Sequence, residues 1–342
     1  MADWPIVGVA GVRGVVGGVF LSILADAGLP ASCLRAFGTE PGEVAFDRAR
    51  LPVAILDDQA AAELEVLFLA TDAAVSREIV SGPGRRVPLI VDNSSAYRLD
   101  PAVPLIVPEA NSDALRGYAG HLVANPNCTT AASAVVLAPI RDAAGLATID
   151  LASYQAVSGA GRAGIDAFEA ERAAGGDAQA DPSPFHGRIA DSVVPQIDTL
   201  DETGWSGEER KISAELRKIL GMPSLDIAAT TVRVPVRTGH SVAIHLRTER
   251  ETSVAELESV LREAPGVEYR AVDGSQRHPM PLDVVGRDPV LVGRLRAIPG
   301  RAGGIALFLS SDNLRKGAAL NAIQVAAVAN PERFGRLVPT PR

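Results

Sequence analysis

The apolar run Ile6-Val7-Gly8-Val9-Ala10 breaks off at Gly11-Val12-Arg13-Gly14-Val15-Val16-Gly17, and Phe20, Leu21, Ile23 and Leu24 follow at helical spacing. A strand, a glycine-rich turn and a helix in that order constrain the fold more than any other stretch. Glycines permit a tight turn, and the start of the helix offers free N–H groups and the positive end of its dipole to an anion. This is the opening of a dinucleotide-binding fold. The spacing is GxxGxxG rather than the commoner GxGxxG, and such glycines also suit a tight turn with no ligand. Short apolar runs at 53–56, 66–70, 89–91, 105–107 and 122–124 alternate with helix-compatible stretches at 60–65 and 73–80. The alternation predicts a mostly parallel sheet covered on both faces.

A second strand-to-helix junction carries Asn125-Pro126-Asn127-Cys128-Thr129-Thr130, with His121–Ala124 before it and the uncharged run 131–138 after it. A cysteine there sits where unpaired N–H groups and the helix dipole favour a thiolate over a thiol. A thiolate is a nucleophile able to hold an acyl group. The alternative is a small buried hydrophobe, against which the flanking Asn-Pro-Asn and Thr-Thr argue.

Beyond this helix the pattern changes. A strand at 151–157 leads through Ser158-Gly159-Ala160-Gly161-Arg162 into a helix ending near Ala174, and 175–187 reads as a loop. Strands are expected at 227–236 and 241–248, joined by Arg237-Thr238-Gly239-His240, then at 290–298 and 304–309, with a helix at 254–263. Consecutive strands with few helices indicate a mixed α+β domain. An amphipathic helix at 314–329 closes the chain. The expected class is α/β: an N-terminal Rossmann-like dinucleotide-binding domain (1–128 with 313–342) and a mixed α+β catalytic and dimerisation domain (129–312).

The 342 residues suffice for two such cores. A net charge of −8 argues against nucleic acid or an anionic membrane as partner, and no apolar stretch reaches the roughly 20 residues of a spanning helix. Cys33 and Cys128, the only cysteines, make neither a disulfide framework nor a metal site and fit a reducing cytoplasm.

The segments GVRGVVG (11–17), DNSSAYR (92–98), VPEAN (107–111), NPNCTT (125–130), YQAVSGAG (154–161), VPQID (194–198), EERK (208–211), RVPVRTGHS (233–241) and SDNLRKGAALNA (311–322) follow one another along nearly the whole chain. In number, order and spacing they resemble aspartate-semialdehyde dehydrogenase. That resemblance implies NADPH-dependent reduction of β-aspartyl phosphate to aspartate β-semialdehyde, with release of phosphate, on the route to lysine, threonine and methionine. It also implies a homodimer or a tetramer of dimers.

The resemblance makes Cys128 the nucleophile, His240 the general acid/base and Gln155 the group that orients substrate or thiol. It makes Arg233 the clamp on the substrate carboxylate, Glu208 a contact for its polar end, and Arg98 and Lys211 the phosphate cations, with Asn127 at the same site. The cofactor contacts are Gly11, Arg13, Gly14, Val15, Val16, Thr39, Ser158, Gly159 and Asn313. From the residues alone, Arg233 points away from the face of Val232, Val234 and Val236, Lys211 and Glu208 make an i,i+3 surface pair, and Asn313 caps the last helix. Arg13, Arg35 and Thr39 suit NADP, whereas Glu40, about 20 residues past the glycine turn, would suit NAD. A reductase of another acyl phosphate, such as N-acetylglutamyl phosphate, and a non-catalytic paralogue are the competing readings. The EERK and RVPVRTGHS segments oppose the first, and the presence of both Cys128 and His240 opposes the second.

Overall fold

The computed structural model describes residues 4–177, 179–271 and 278–340; expectations touching residues 1–3, Ala178 and the last two residues lie outside them. The chain divides into two compact units, Met1–Asn127 with Ala318–Pro341, and Cys128–Gly317.

The first unit is built on seven strands: β1 (Val7–Ala10), β2 (Leu34–Phe37), β3 (Gly42–Phe46), β4 (Ala49–Ala54), β5 (Val66–Leu69), β6 (Ile90–Asp92) and β7 (Leu122–Ala124). They lie in the order β3-β4-β2-β1-β5-β6-β7, and every pairing is parallel except the β3–β4 hairpin. After β1, Gly11 turns the chain at φ +81°, where a Cβ would stand 2.3 Å from the Ala70 carbonyl oxygen. A Cβ on Gly17 would stand 2.2 Å from the Gly11 oxygen, so both positions exclude side chains. The helix Val15–Asp26 then buries Phe20, Ile23 and Leu24 completely, and Phe20 stacks on Phe68 of β5 at 5.0 Å. Each such side chain contributes about 1.5–3 kcal/mol.

Three expectations change here. The strand expected at 105–107 is a single bridge, Leu105 to Ala124, because the Asn111 side chain takes the Leu105 carbonyl and the Val107 N–H that a ladder would need. The helix expected at 60–65 starts earlier, at Asp58–Ala62, since Asp57 caps the Ala60 N–H. The closing helix begins as a π-helical turn, Arg315–Ala319, and continues as Leu320–Ala329. It is not amphipathic: Leu320, Asn321, Ala322, Ile323, Val325 and Ala326 are all buried, because this helix enters the core beside Phe20 and Phe68.

The second unit contains β8 (Thr148–Gln155), β9 (Asp226–Arg233), β10 (His240–Arg247), β11 (Val267–Arg270), β12 (Val290–Ala297) and β13 (Gly304–Ser311). Their order is β11-β12-β13-β10-β8-β9. β9 does not run on to Val236 to meet β10; β8 lies between them, parallel to β9 and antiparallel to β10. The link 234–239 crosses the end of β8, with Val234 N–H donating to the Gln155 carbonyl and Val157 and Ser158 N–H groups donating to Val236 and Arg237. The end of β8, the end of β9 and the start of β10 therefore meet at one sheet edge. The helix Gly207–Leu220 packs its buried Ile212, Leu216 and Ile219 inward. A Ser206/Glu209 capping box opens it, and Gly221 at φ +67° closes it.

Candidate functional site

Cys128 is the first residue of the helix Cys128–Ala144, directly after the turn that leaves β7. The helix is buried along most of its length, so the position of its first turn is fixed by packing. Gly317, in the π-helical turn, comes so close that a Cβ there would lie 2.8 Å from the Cys128 Cβ. The sequence reading missed this glycine; π-turns recur where backbone must approach a functional group.

Within the second unit, the edge formed by β8, β9 and β10 gathers four of the expected residues. His240 is buried and its Nδ1 accepts the Ala156 N–H at 3.0 Å. Arg233 is also buried and donates from Nη1 to the Ala156 carbonyl at 2.8 Å. The backbone of one residue, Ala156, thus holds both. Gln155 Nε2 donates to Glu208 Oε1 at 3.1 Å, so these two are linked rather than Glu208 and Lys211. Burial lowers the Arg233 pKa, while Cys128 and Glu208, which act on it as anions when ionised, favour its cation. Burial, and after it the Arg233 charge, pushes the His240 imidazole well below its usual range, so the ring is neutral at pH 7. A Cβ on Gly159 would stand 2.6 Å from Arg233 Nη1 and 3.2 Å from His240 Nε2; the glycine leaves open the space the two side chains share.

The orientation of Arg233 keeps the parity read from the sequence, opposite Val232, and shows that its side of the strand is the buried one. The buried face of β9 carries Ile227, Ala229, Thr231 and Arg233, and the strand stops before the valine alternation can continue. Arg233 therefore points inward, beneath the ring of Phe185 at 6.0 Å. Lys211 pairs with Asp198 Oδ2 at 2.6 Å, and this cation, with burial opposing, lowers the Asp198 pKa. The expected Glu208–Lys211 surface pair is absent among the described contacts, because Glu208 turns to buried Gln155. Asn313 is not the cap: the Asp312 carboxylate accepts the Leu314 and Arg315 N–H groups. Asn313 instead accepts the Gly239 N–H at 2.9 Å and donates to Ser158 Oγ at 2.9 Å, tying the crossover to the turn after β8.

In the first unit, Gly11, Gly14, Val15 and Val16 form the turn and first helical residues after β1. A cavity of about 360 Å³ opens beside them, lined in part by Gly11, Gly38, Thr39, Ile55, Val75 and Ile79. Its apolar wall was not read from the sequence, although Ile55, exposed just past a strand, is the kind of residue that marks one. Arg13 donates to the Glu40 backbone carbonyl at 3.0 Å and lies where a Cβ on Gly42 would stand 2.2 Å from its Nη2. Arg35 is turned instead to Ser32 and Glu63. Buried Arg98 donates to the Asn125 and Asn93 carbonyls at 2.9 and 2.7 Å, and buried Asn127 ends the same turn.

Two family models match: "Semialdehyde dehydrogenase, NAD binding domain" over residues 6–118 and "Semialdehyde dehydrogenase, dimerisation domain" over 137–316. Aspartate-semialdehyde dehydrogenase of Streptomyces akiyoshiensis is 37% identical, covering 96% of this chain and 99% of its own. The chain belongs to the aspartate-semialdehyde dehydrogenase family. The Bacillus subtilis member is 36% identical over 94% of this chain and 96% of its own. A crystal structure of aspartate semialdehyde dehydrogenase II from Vibrio cholerae, complexed with ASA, superposes with a TM-score of 0.90 at 32% identity, covering 97% of this chain and all of that one. By these matches the chain pairs an NAD(P)-binding domain with a mixed-sheet dimerisation domain. The glycine cradle after β1, which any Cβ at Gly11 or Gly17 would fill, and the adjoining cavity fit a dinucleotide there.

Proposed function

We propose that this aspartate-semialdehyde dehydrogenase family member reduces β-aspartyl phosphate to aspartate β-semialdehyde through a thioacyl intermediate on Cys128, with NADPH as reductant, in the synthesis of lysine, threonine and methionine. The observation that carries the reading is the cluster of Arg233, His240 and the Gln155–Glu208 pair around Gly159, in the unit whose first helix opens at Cys128. Arg233 offers a planar two-pronged donor to the substrate carboxylate. Glu208, aligned by Gln155, takes the substrate's polar end. His240 serves the oxygen of the tetrahedral intermediates, and Cys128 takes the acyl group. The bound coenzyme supplies hydride to the acyl carbon. Ser158, Gly159 and Asn313 are the contacts proposed for its nicotinamide end. Tyr154 and Phe308, side by side on the open face of the second sheet, support pairing with a second copy of this chain.

Phosphate-dependent reduction of NADP with aspartate semialdehyde tests the reading, beside N-acetylglutamate semialdehyde as the competing substrate. Turnover with the first and none with the second is expected; the reverse would reject the aspartyl assignment.

Coenzyme choice rests on Arg13. Its guanidinium is held over Gly42 beside Thr39, where a 2′-phosphate could be met, whereas Glu40 is exposed and engages Arg13 through its backbone. Arg13→Ala should cost about 1.5–3 kcal/mol in kcat/KM with NADP, roughly tenfold or more, and almost nothing with NAD. A wild-type preference for NAD would mean that Glu40 faces the ribose.

Lys211, half-buried on Asp198, and Arg98 are the proposed phosphate cations. Lys211→Ala should raise the KM for phosphate about tenfold in the reverse direction while moving the coenzyme KM little. Equal changes in both would assign Lys211 to general electrostatics.

A further inference from the structure

Glu171 is a buried carboxylate that none of the roles above uses. It lies on the helix Gly161–Ala174, on the buried side with Gly164, Ala167 and Phe168. Its Oε1 accepts the Ala180 N–H at 3.1 Å, and its Oε2 accepts the Ile189 and Ala190 N–H groups at 2.7 and 2.9 Å. Residues 180–190 form neither helix nor strand, so these amides have no ladder to join, and a carboxylate binds them more strongly than a neutral acceptor would. Both ends of the excursion are thereby closed on one side chain.

Phe185 stands in the middle of that excursion. Its N–H donates to Ser183 Oγ at 3.2 Å, and its carbonyl accepts from Gln179 Nε2 at 3.1 Å. The ring is buried against the helix at Gly164, where a Cβ would stand 3.1 Å from Phe185 Cζ. Gly164 and Glu171 are two helical turns apart on one face. The carboxylate that closes the excursion and the glycine that receives the ring therefore share one rigid support. The same ring lies over the Arg233 guanidinium, with 6.0 Å between its centroid and Cζ.

We propose that Glu171 and Phe185 are positioning residues for Arg233: Glu171 straps the segment 180–190 to its helix, and Phe185 thereby holds the guanidinium ready for the substrate carboxylate. The proposal rests on the reading of Arg233 as that clamp and adds what keeps it in place. Among the described residues, the Arg233 side chain makes its hydrogen bond to the Ala156 carbonyl, which takes one N–H of the guanidinium. No carboxylate forms a salt bridge with it there. An aromatic face attracts the cation without neutralising it. A carboxylate in the same place would have to be displaced by the substrate, as Asp198 would be from Lys211. Ordering a long, flexible side chain beforehand also removes a cost that the substrate would otherwise meet on binding.

The test compares the wild type with Phe185→Leu, Glu171→Gln and the double variant. Phe185→Leu should raise the KM for aspartate semialdehyde about tenfold, with kcat and the KM for phosphate and NADP nearly unchanged. Glu171→Gln, which turns one acceptor oxygen into an NH2 group facing an N–H, should move the same constant in the same direction by a smaller factor. The double variant should be no worse than Phe185→Leu alone, because Glu171 acts through the ring. Equal rises in all three Michaelis constants, or additive losses in the double variant, would make these residues general supports of the fold and overturn the proposal. Phenylglyoxal labelling, read on the Arg233 and Arg315 peptides by mass spectrometry, needs neither substrate nor coenzyme. Both single variants should speed the labelling of Arg233 several-fold and leave Arg315, also buried in the second unit, unchanged. Equal acceleration at both arginines, or none at Arg233, would equally overturn it. If the wild type failed to turn over aspartate semialdehyde, the enzymatic reading would fall, and the labelling would still decide whether Glu171 and Phe185 hold Arg233.

Discussion

Replacing Cys128 with serine should lower turnover by several orders of magnitude while leaving the fold intact. A hydroxyl at the same place forms an anion far less readily than a thiol, so the acyl group has no acceptor. The site tolerates the change structurally. Serine is smaller than cysteine, so the close approach of Gly317 is preserved, and the helix is held by the burial of its later turns rather than by its first side chain. Unchanged circular dichroism and melting should accompany the loss, and mass spectrometry should detect an acyl adduct on the wild type and none on the variant. Wild-type rates in Cys128→Ser would remove the covalent step altogether.

Arg233→Leu should reduce kcat/KM for aspartate semialdehyde by about 2–5 kcal/mol, the loss expected when one member of a buried charge pair is removed. The substitution strips the substrate carboxylate of its partner and leaves the Ala156 carbonyl without the Arg233 donor. It also removes a cation within electrostatic reach of Cys128 and His240, so the pH midpoint of Cys128 alkylation should rise in the same variant. Arg233→Lys separates the contributions. It keeps the charge, giving up the planar fork, and should fall between wild type and leucine. Kinetics with the semialdehyde intact in Arg233→Leu would show that the carboxylate is bound elsewhere.

These two residues also differ in how openly the sequence displays them. Cys128 is legible because everything that marks it is local: an apolar strand before it, a turn of Asn-Pro-Asn, and a helical run after it. The glycine turn at 11–17 and the Ser206/Glu209 capping box are legible for the same reason, since backbone conformation and first-turn hydrogen bonds are set within a few residues. Arg233 was legible in parity, opposite Val232, but its burial was not. The strand ends at Arg233 itself, and only the placement of β8 between β9 and β10 says so. Asn313 was misread because Asp312, one residue earlier, wins the helix start with a charged acceptor. Lys211 found its partner in Asp198 rather than one turn away on its own helix, for Glu208 is drawn inward by Gln155.

Local residue patterns establish the two strand-to-helix junctions, the α/β order of the first unit, the mixed character of the second and, through the motifs, the family. Tertiary structure decided which of these residues meet and in what state. Gln155 lies 53 residues from Glu208, Arg233 lies 77 from Ala156, and His240 lies 84 from Ala156. Over such separations no propensity or periodicity operates. The crossover of 234–239 past the end of β8 brings them together, and burial at that edge then forces each polar atom to find a partner. The hydrogen bond from the Ala156 N–H to His240 Nδ1 is one outcome of that pairing, and no pattern of residue types reveals it.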